Sequence, residues 1–139
     1  MSDEFKDNSE EYEFLLVQAI RHGLRAIGMT AETYAKSNCP VDTGYARNSI
    51  TYALSGETAD ISSYKADAGK NGEPPKTGEY RGTLGKIEDN YVVIGSNVEY
   101  FPFIEEGARG RKALHVLRKA ATEHREEYEN LMKDNLENA

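Results

Sequence analysis

Apolar side chains recur every three or four positions between Glu11 and Asn38. That spacing predicts an α-helix with one apolar face. The stripe consists of Leu16, Ile20, Leu24, Ile27, Ala31 and Tyr34. Pro40 should end the helix, because the residue before a proline disfavours the helical backbone. Gly23 and Gly28 weaken the helix intrinsically, so either another chain approaches closely there or both glycines are tolerated defects.

Two later segments have the patterns of β-strands. Residues 48–54 alternate Ile50, Tyr52 and Leu54 with smaller side chains, which predicts a half-buried strand. Residues 90–97 carry an apolar run flanked by turn-forming residues. We expect these two strands to pair as a small antiparallel sheet. The apolar and aromatic segment 98–107 follows, and it predicts either the end of a strand or a short helical turn.

A second amphipathic helix is predicted over residues 112–136. Its apolar stripe alternates steps of three and four and consists of Leu114, Leu117, Ala121, His124, Tyr128, Leu131 and Asn135. Helix, small sheet and helix in this order predict an α+β fold, and 139 residues fit a single domain over 1–139.

Two segments of the chain are poor in apolar residues. Residues 1–10 are polar and acidic, which predicts a disordered N-terminal segment. Residues 55–89 are rich in glycine and proline, which predicts a long flexible loop. In an assembly protein such a loop reaches a neighbouring subunit; alternatively it is a surface loop without a role.

Composition and charge narrow the classes of function. Hydrophobic residues make up 38% of the chain, below the roughly 45–50% of a typical soluble domain. The core should therefore be lean, and partner surfaces should add to its stability. The net charge of -7 opposes general binding of nucleic acid, because it repels phosphates.

One basic cluster stands against this acidic background, and it consists of Arg109, Arg111, Lys112, Arg118 and Lys119. Three interpretations remain open. The cluster is a solvated helix face, a charged interface between subunits, or a surface that lines a passage for DNA.

The residues that usually carry catalysis or ligands are few. The single cysteine, Cys39, cannot form an internal disulfide and predicts a reducing compartment. No apolar run is long enough for a membrane span, and the acidic start is unlike a signal peptide, so we expect synthesis in the cytoplasm without membrane contact.

Glu105 and Glu106 are adjacent, and adjacent carboxylates do not converge on one reacting atom. We therefore expect no enzymatic activity, no cofactor and no metal.

Two segments resemble a known family. The first is Cys39-Pro40-Val41-Asp42-Thr43-Gly44 followed by Arg47-Asn48-Ser49-Ile50. The second is Val93-Ile94-Gly95-Ser96-Asn97-Val98-Glu99-Tyr100 followed by Phe103-Ile104-Glu105-Glu106-Gly107. Together, and in this order, they resemble the head–tail joining proteins of long-tailed bacteriophages and prophages, which are also called neck or tail-completion proteins. The segment 114–121 stands where that family has a further helical motif, although Leu114-His115 replaces its usual Pro-Phe.

The resemblance implies a virion structural protein that assembles as a homo-oligomeric ring between the portal connector and the tail. Its expected partners are the connector, head-closure and tail proteins and further copies of itself, which join either in solution or only during assembly. DNA would pass through the ring. The protein would be made in the host cytoplasm and finish at the head–tail junction of the virion.

The same resemblance gives a set of candidate structural and interface residues: Pro40, Asp42, Thr43, Gly44, Gly95, Asn97, Tyr100, Phe103, Glu105, Glu106, Gly107, Arg109 and Arg111. Residues 40–44 and 95–97 would form turns, and Tyr100 and Phe103 would be core or subunit-contact aromatics. Glu105 and Glu106 would pair with Arg109 or Arg111 of the same or a neighbouring subunit. The alternative interpretation is that all these residues serve packing and capping within one chain.

Three alternatives remain beside this interpretation. A tail terminator ring at the end of the tail tube has the same class of architecture and differs in its partner. A small regulatory binding protein of a mobile element also fits an acidic α+β domain. A hydrolase would depend on an unrecognised site that includes Asp42 or Glu105.

Overall fold

The computed structural model describes residues 2–39, 44–57, 85–96, 101–108, 110 and 112–138. The chain is an α+β protein with a long N-terminal helix, a two-stranded antiparallel sheet and a helical C-terminal region, as predicted. The elements are α1 (Ser2–Asn38), α2 (Gly44–Ser49), β1 (Thr51–Leu54), β2 (Val92–Gly95), α3 (Phe101–Glu106), α4 (Val116–Thr122) and α5 (Arg125–Glu137). A 3₁₀ turn, Ile87–Asp89, precedes β2.

Helix α1 begins earlier than expected and buries a different stripe. It is helical from Ser2 rather than from Glu11, so residues 2–10 are helical where disorder was predicted. The buried stripe is made largely of small residues: Ala19, Gly23, Leu24, Gly28, Ala31 and Ala35. Of the predicted stripe only Leu24 and Ala31 are fully buried, and Leu16 is exposed. Small side chains let neighbouring elements approach the helix axis closely.

Gly23 and Gly28 show why this stripe is small. A Cβ on Gly23 would lie 2.5 Å from Sδ of Met132 on α5. A Cβ on Gly28 would lie 2.6 Å from Cδ2 of Tyr52 and 2.9 Å from Cγ2 of Val92, one residue from each strand. The close approach that the sequence left open therefore occurs within the chain.

The sheet has the predicted pairing, but its first strand is shorter than expected. Thr51 pairs with Gly95 and Leu54 with Val92, in antiparallel register. Residues 48 and 49 belong to helix α2 instead of the strand. The burial pattern gives the reason, because Ala46, Ser49 and Ile50 are all buried at the three- and four-residue spacing of a helical turn.

The predicted C-terminal helix over residues 112–136 is present as two helices. The break lies at Glu123 and His124, and His124 has φ -122° and ψ 30°, outside the helical region. The His124 ring stacks on Tyr34 of α1 at a centroid distance of 3.5 Å. Both α4 and α5 pack against α1.

The central core lies where the C-terminal end of α1 meets α2, α3 and α4. Its buried members are Ala35, Cys39, Ala46, Ile50, Phe101, Val116 and Ala120. Of the loop predicted over residues 55–89, the part at 58–84 lies outside the described residues. Among the helices of the described part, none combines the length and the apolar character needed to cross a membrane.

Candidate functional site

The candidate residues divide between described and undescribed positions. Gly44, Gly95, Phe103, Glu105, Glu106 and Gly107 lie in the described part of the chain. The predictions for Pro40, Asp42, Thr43, Asn97, Tyr100, Arg109 and Arg111 concern positions outside it. Their roles, including an ion pair between Glu105 or Glu106 and Arg109 or Arg111, stay predictions.

Two of the glycines border the predicted turns at 40–44 and 95–97, whose other residues lie largely outside the described part of the chain. Gly44 is the first residue of helix α2. Gly95 is the last residue of β2 and pairs with Thr51. Gly107 does close a helix: its φ is 81°, and its N–H donates to the carbonyl of Phe103 at 2.9 Å. This left-handed C-terminal cap favours glycine, because a Cβ would be strained there.

The segments that resemble the phage family converge on one core. Cys39 and Ile50 come from the first segment, Ala46 lies between its two parts, and Ile94 from the second segment packs against this core. Phe101 lies between the two parts of the second segment and is 4% exposed. Val116 and Ala120 come from the third segment. Ser49 and Ser96 are also joined by a hydrogen bond between their hydroxyl groups. Some described residues of the quoted segments therefore lie in or beside the core, whereas Arg47, Asn48 and Phe103 are exposed.

Glu105 caps helix α4 from outside that helix. Its two carboxylate oxygens accept hydrogen bonds from the backbone N–H groups of Leu117 at 2.8 Å and Arg118 at 3.0 Å. These N–H groups belong to the first turn, where no intrahelical acceptor is available. A carboxylate there also interacts favourably with the helix dipole. The role of Glu105 in this structure is thus capping within the chain.

Glu106 has a different environment from its neighbour. It forms a salt bridge with Arg118 at 3.4 Å, and both side chains are more than half exposed. Exposed pairs of this kind contribute roughly 0–1 kcal/mol to stability. Glu106 therefore joins the outer surfaces of α3 and α4 without supporting the core.

Glu105, Glu106 and His115 bring three metal-ligating groups together. One potential ligand atom from each lies within 4.8 Å of the others. Nδ1 of His115 is buried without a hydrogen-bond partner among the residues that the structure describes, and His115 has φ 48° at the start of α4. Both oxygens of Glu105, however, already accept backbone hydrogen bonds. We therefore interpret Glu105, Glu106 and His115 as residues that hold the start of helix α4, because the oxygens of Glu105 are used in capping that helix.

A polar clamp fixes the beginning of the segment after β1. Glu57 accepts a hydrogen bond from Arg25 and lies 3.6 Å from Nη2 of Arg21. It also accepts from the N–H of Leu54 at 3.2 Å. Burial by itself would raise the pKa of Glu57, but the hydrogen bonds from Arg25 and Leu54 outweigh it and hold the pKa below its usual value.

An aromatic cluster joins α1 to α5. The tyrosine hydroxyl of Tyr34 donates to Glu127, and its ring stacks on His124. Tyr128 donates to the carbonyl of Ala120. Burial raises the pKa of Tyr128 to about 12. The sequence placed His124 and Tyr128 on one helical stripe, but no local signal identified Tyr34 as their partner.

The N-terminal part of α1 forms an exposed apolar arm, which we define as residues 9–18. All of these residues are exposed, whereas Ala19 is buried. Tyr12 is 70% exposed and Phe14 62%. Because Met132 lies against Gly23 and α5 ends at Glu137, α5 stops near the beginning of the buried stripe. The arm extends past that point.

A second exposed surface lies at the opposite end of α1. We call it the basic face, and it consists of Phe103, Lys112, Leu114, Arg118 and Lys119. Phe103 and Glu106 share the exposed side of α3, and the Glu106–Arg118 pair continues that surface onto α4. The N–H of Leu114 donates to the carbonyl of Ile104 at 3.0 Å, which holds the segment before α4 beside α3. Phe103 is thus a surface residue, 62% exposed.

Comparisons with known protein families, with curated proteins and with solved structures found no match to this chain.

Proposed function

We propose that this protein is a virion structural subunit of the head–tail junction of a long-tailed bacteriophage or prophage, where it assembles as a ring between the portal connector and the tail. The observation that carries the proposal is the apolar arm. A contiguous exposed apolar surface on a small protein is typical of a site that another protein covers.

The sequence motifs supply the kind of assembly. The segments at 39–50 and 93–107 resemble the head–tail joining proteins, and residues from both contribute to one core. Core residues determine the fold, so the resemblance supports a subunit fold like that of the head–tail joining proteins. The lean composition agrees with a subunit that gains stability from its neighbours.

Native mass spectrometry of the purified chain tests this proposal. The protein is measured alone, and then after mixing with the connector, head-closure, tail-terminator and tail-tube proteins of a long-tailed phage whose genome encodes this chain. We expect a closed oligomer of defined mass, formed alone or on a connector protein. Binding to the tail-tube protein alone would identify a tail terminator instead. A stable monomer or dimer that binds none of these proteins would contradict the proposal and favour a regulatory binding protein.

A further inference from the structure

The two exposed surfaces of this protein carry opposite charge. The arm, residues 9–18, contains the three carboxylates of Glu10, Glu11 and Glu13 and no basic side chain, a formal charge of -3. The basic face contains Lys112, Arg118 and Lys119, and with the neighbouring Glu106 its formal charge is +2. The whole chain has a net charge of -7, so the basic face stands out from an acidic molecule. Complementary charge of this kind steers two surfaces together and suppresses wrong pairings.

Both surfaces also present apolar side chains among their charges. In the arm, Tyr12 and Leu16 extend the line of Ala19 and Gly23, the face that α5 covers farther along α1. On the basic face, Phe103 is 62% and Leu114 37% exposed. Apolar groups within a charged rim are the usual composition of a protein–protein interface.

The arm and the basic face cannot meet within one molecule. Helix α1 is continuous from Ser2 to Asn38. Helix α4 is held at the far end of α1, where the amide of Asn38 donates to the carbonyl of Val116 at 3.5 Å. Twenty residues separate Leu16 from Lys36, and at 1.5 Å per residue that is about 30 Å. A rigid helix therefore keeps the two surfaces apart.

The geometry points to a second copy of this chain as the partner of the arm, with the acidic apolar arm of one subunit seated on the basic face of the next. Such an interface uses two different surfaces, so it repeats from head to tail and closes into a ring when the rotation between subunits allows it. The inference rests on the proposed function and adds to it the two surfaces that join neighbouring subunits.

Charge reversal on each surface tests this interface. The arm variant carries Glu10→Lys, Glu11→Lys and Glu13→Lys, and the face variant carries Lys112→Glu, Arg118→Glu and Lys119→Glu. Sedimentation velocity at low salt measures self-association. We expect each variant to associate about tenfold more weakly than the unmodified chain, or worse. Association of the unmodified chain should weaken as salt rises, because salt screens exposed charges.

Mixing the two variants gives the decisive measurement. In the mixture the basic arm of one variant meets the acidic face of the other, and the acidic arm meets the basic face. Two proteins that fail to associate separately should therefore associate together. General damage to folding cannot produce this rescue, and far-UV circular dichroism checks that each variant retains its helices.

The matched control reverses three exposed acidic residues of α5: Glu126→Lys, Asp134→Lys and Glu137→Lys. It changes the net charge as much as the arm variant does and should self-associate like the unmodified chain. If all variants assemble alike, the arm and the basic face are not the interface, although the proposed function survives. An unmodified chain that stays monomeric at low salt also overturns this interface. The proposed function fails separately, when the chain binds no connector or tail protein.

Discussion

At the scale of single residues, the two glycines of α1 occupy similar positions but face different neighbours. Gly23 lies under the flexible end of Met132, whereas Gly28 lies under the Tyr52 ring and Val92. A methionine thioether adapts to an added methyl group more readily than a tyrosine ring held in a sheet does. The two glycines should therefore differ in their tolerance of alanine.

We expect Gly28→Ala to lower the free energy of unfolding by about 1–3 kcal/mol, because overpacking against the ring and Val92 exceeds the gain in helix propensity. The matched variant Gly23→Ala should be neutral or more stable, because Met132 can move and alanine favours the helix. Urea unfolding followed by circular dichroism measures both. Equal effects of the two substitutions would show that the contacts of Gly28 do not control the packing of α1 on the sheet.

At the scale of elements, helix α4 depends on a residue that precedes it in the chain. His115 at its start provides no side-chain cap, and Glu105 from the end of α3 takes that function. The adjacent Glu106 makes only an exposed ion pair. Substitution of Glu105 therefore tests the cap, and the same substitution of Glu106 is its control.

Glu105→Ala should destabilise the protein by about 1–2 kcal/mol, which is the usual effect of removing a helix cap. Glu106→Ala should change stability by less than about 0.5 kcal/mol, because an exposed ion pair contributes little. Thermal unfolding of both variants measures the difference. A larger loss for Glu106→Ala than for Glu105→Ala would contradict the capping assignment.

At the scale of the whole molecule, Glu57 connects the long helix to the sheet and gives stability a dependence on pH. The pKa of Glu57 is lowered from its ordinary value of 4.5 in the folded protein. A lowered carboxyl pKa means that the folded state favours the charged form. The stabilisation is therefore complete above the unfolded pKa and is lost as pH falls through the folded pKa.

Glu57→Gln should lower the free energy of unfolding by about 1 kcal/mol at pH 7. The difference from the unmodified protein should vanish well below pH 4.5, where Glu57 itself is protonated. Urea unfolding between pH 3 and pH 7 measures this gap. Glu88→Gln is the control, because Glu88 forms no ion pair with any described residue. A gap for Glu57→Gln that stays constant over this range would contradict the proposed clamp.

The arm belongs to the same scale, because its exposure depends on where α5 ends along α1. The arm leaves apolar side chains exposed among carboxylates, about 30 Å from the basic face. We expect its burial in an assembly to stabilise the subunit, because a partner that binds only the folded state shifts the folding equilibrium.

The sequence predicted the types of most elements but not their faces. The three- and four-residue spacing in α1 identified a helix, yet the buried stripe is Ala19, Gly23 and their successors rather than the larger Leu16 series. The alternation at 50–54 predicted a strand, but it concealed the helical turn that buries Ala46 and Ser49. Each difference arises because a segment with small side chains, or with apolar and polar residues mixed, fits both the helical and the strand periodicity, or more than one helix face.

The candidate residues show the same limit. Gly107 was predictable as a closing glycine, because an apolar segment followed by glycine indicates a helix end. The cap from Glu105 to Leu117 and Arg118, and the break at His124 beside Tyr34, were not predictable, because they join residues far apart in the chain. Residues 121–125 contain neither proline nor glycine, so the local sequence does not indicate a break in the helix.

By itself, the sequence determined the α+β class, the long N-terminal helix, the pairing of the two strands and the opposite charge of the segments 1–17 and 101–122. These properties depend on local periodicity, turn residues and composition, which a chain carries before it folds. Only the tertiary structure decided that small residues form the buried face of α1, that Glu105 caps α4, and that the apolar residues of the arm stay uncovered. Those features depend on where distant elements meet and where α5 ends along α1.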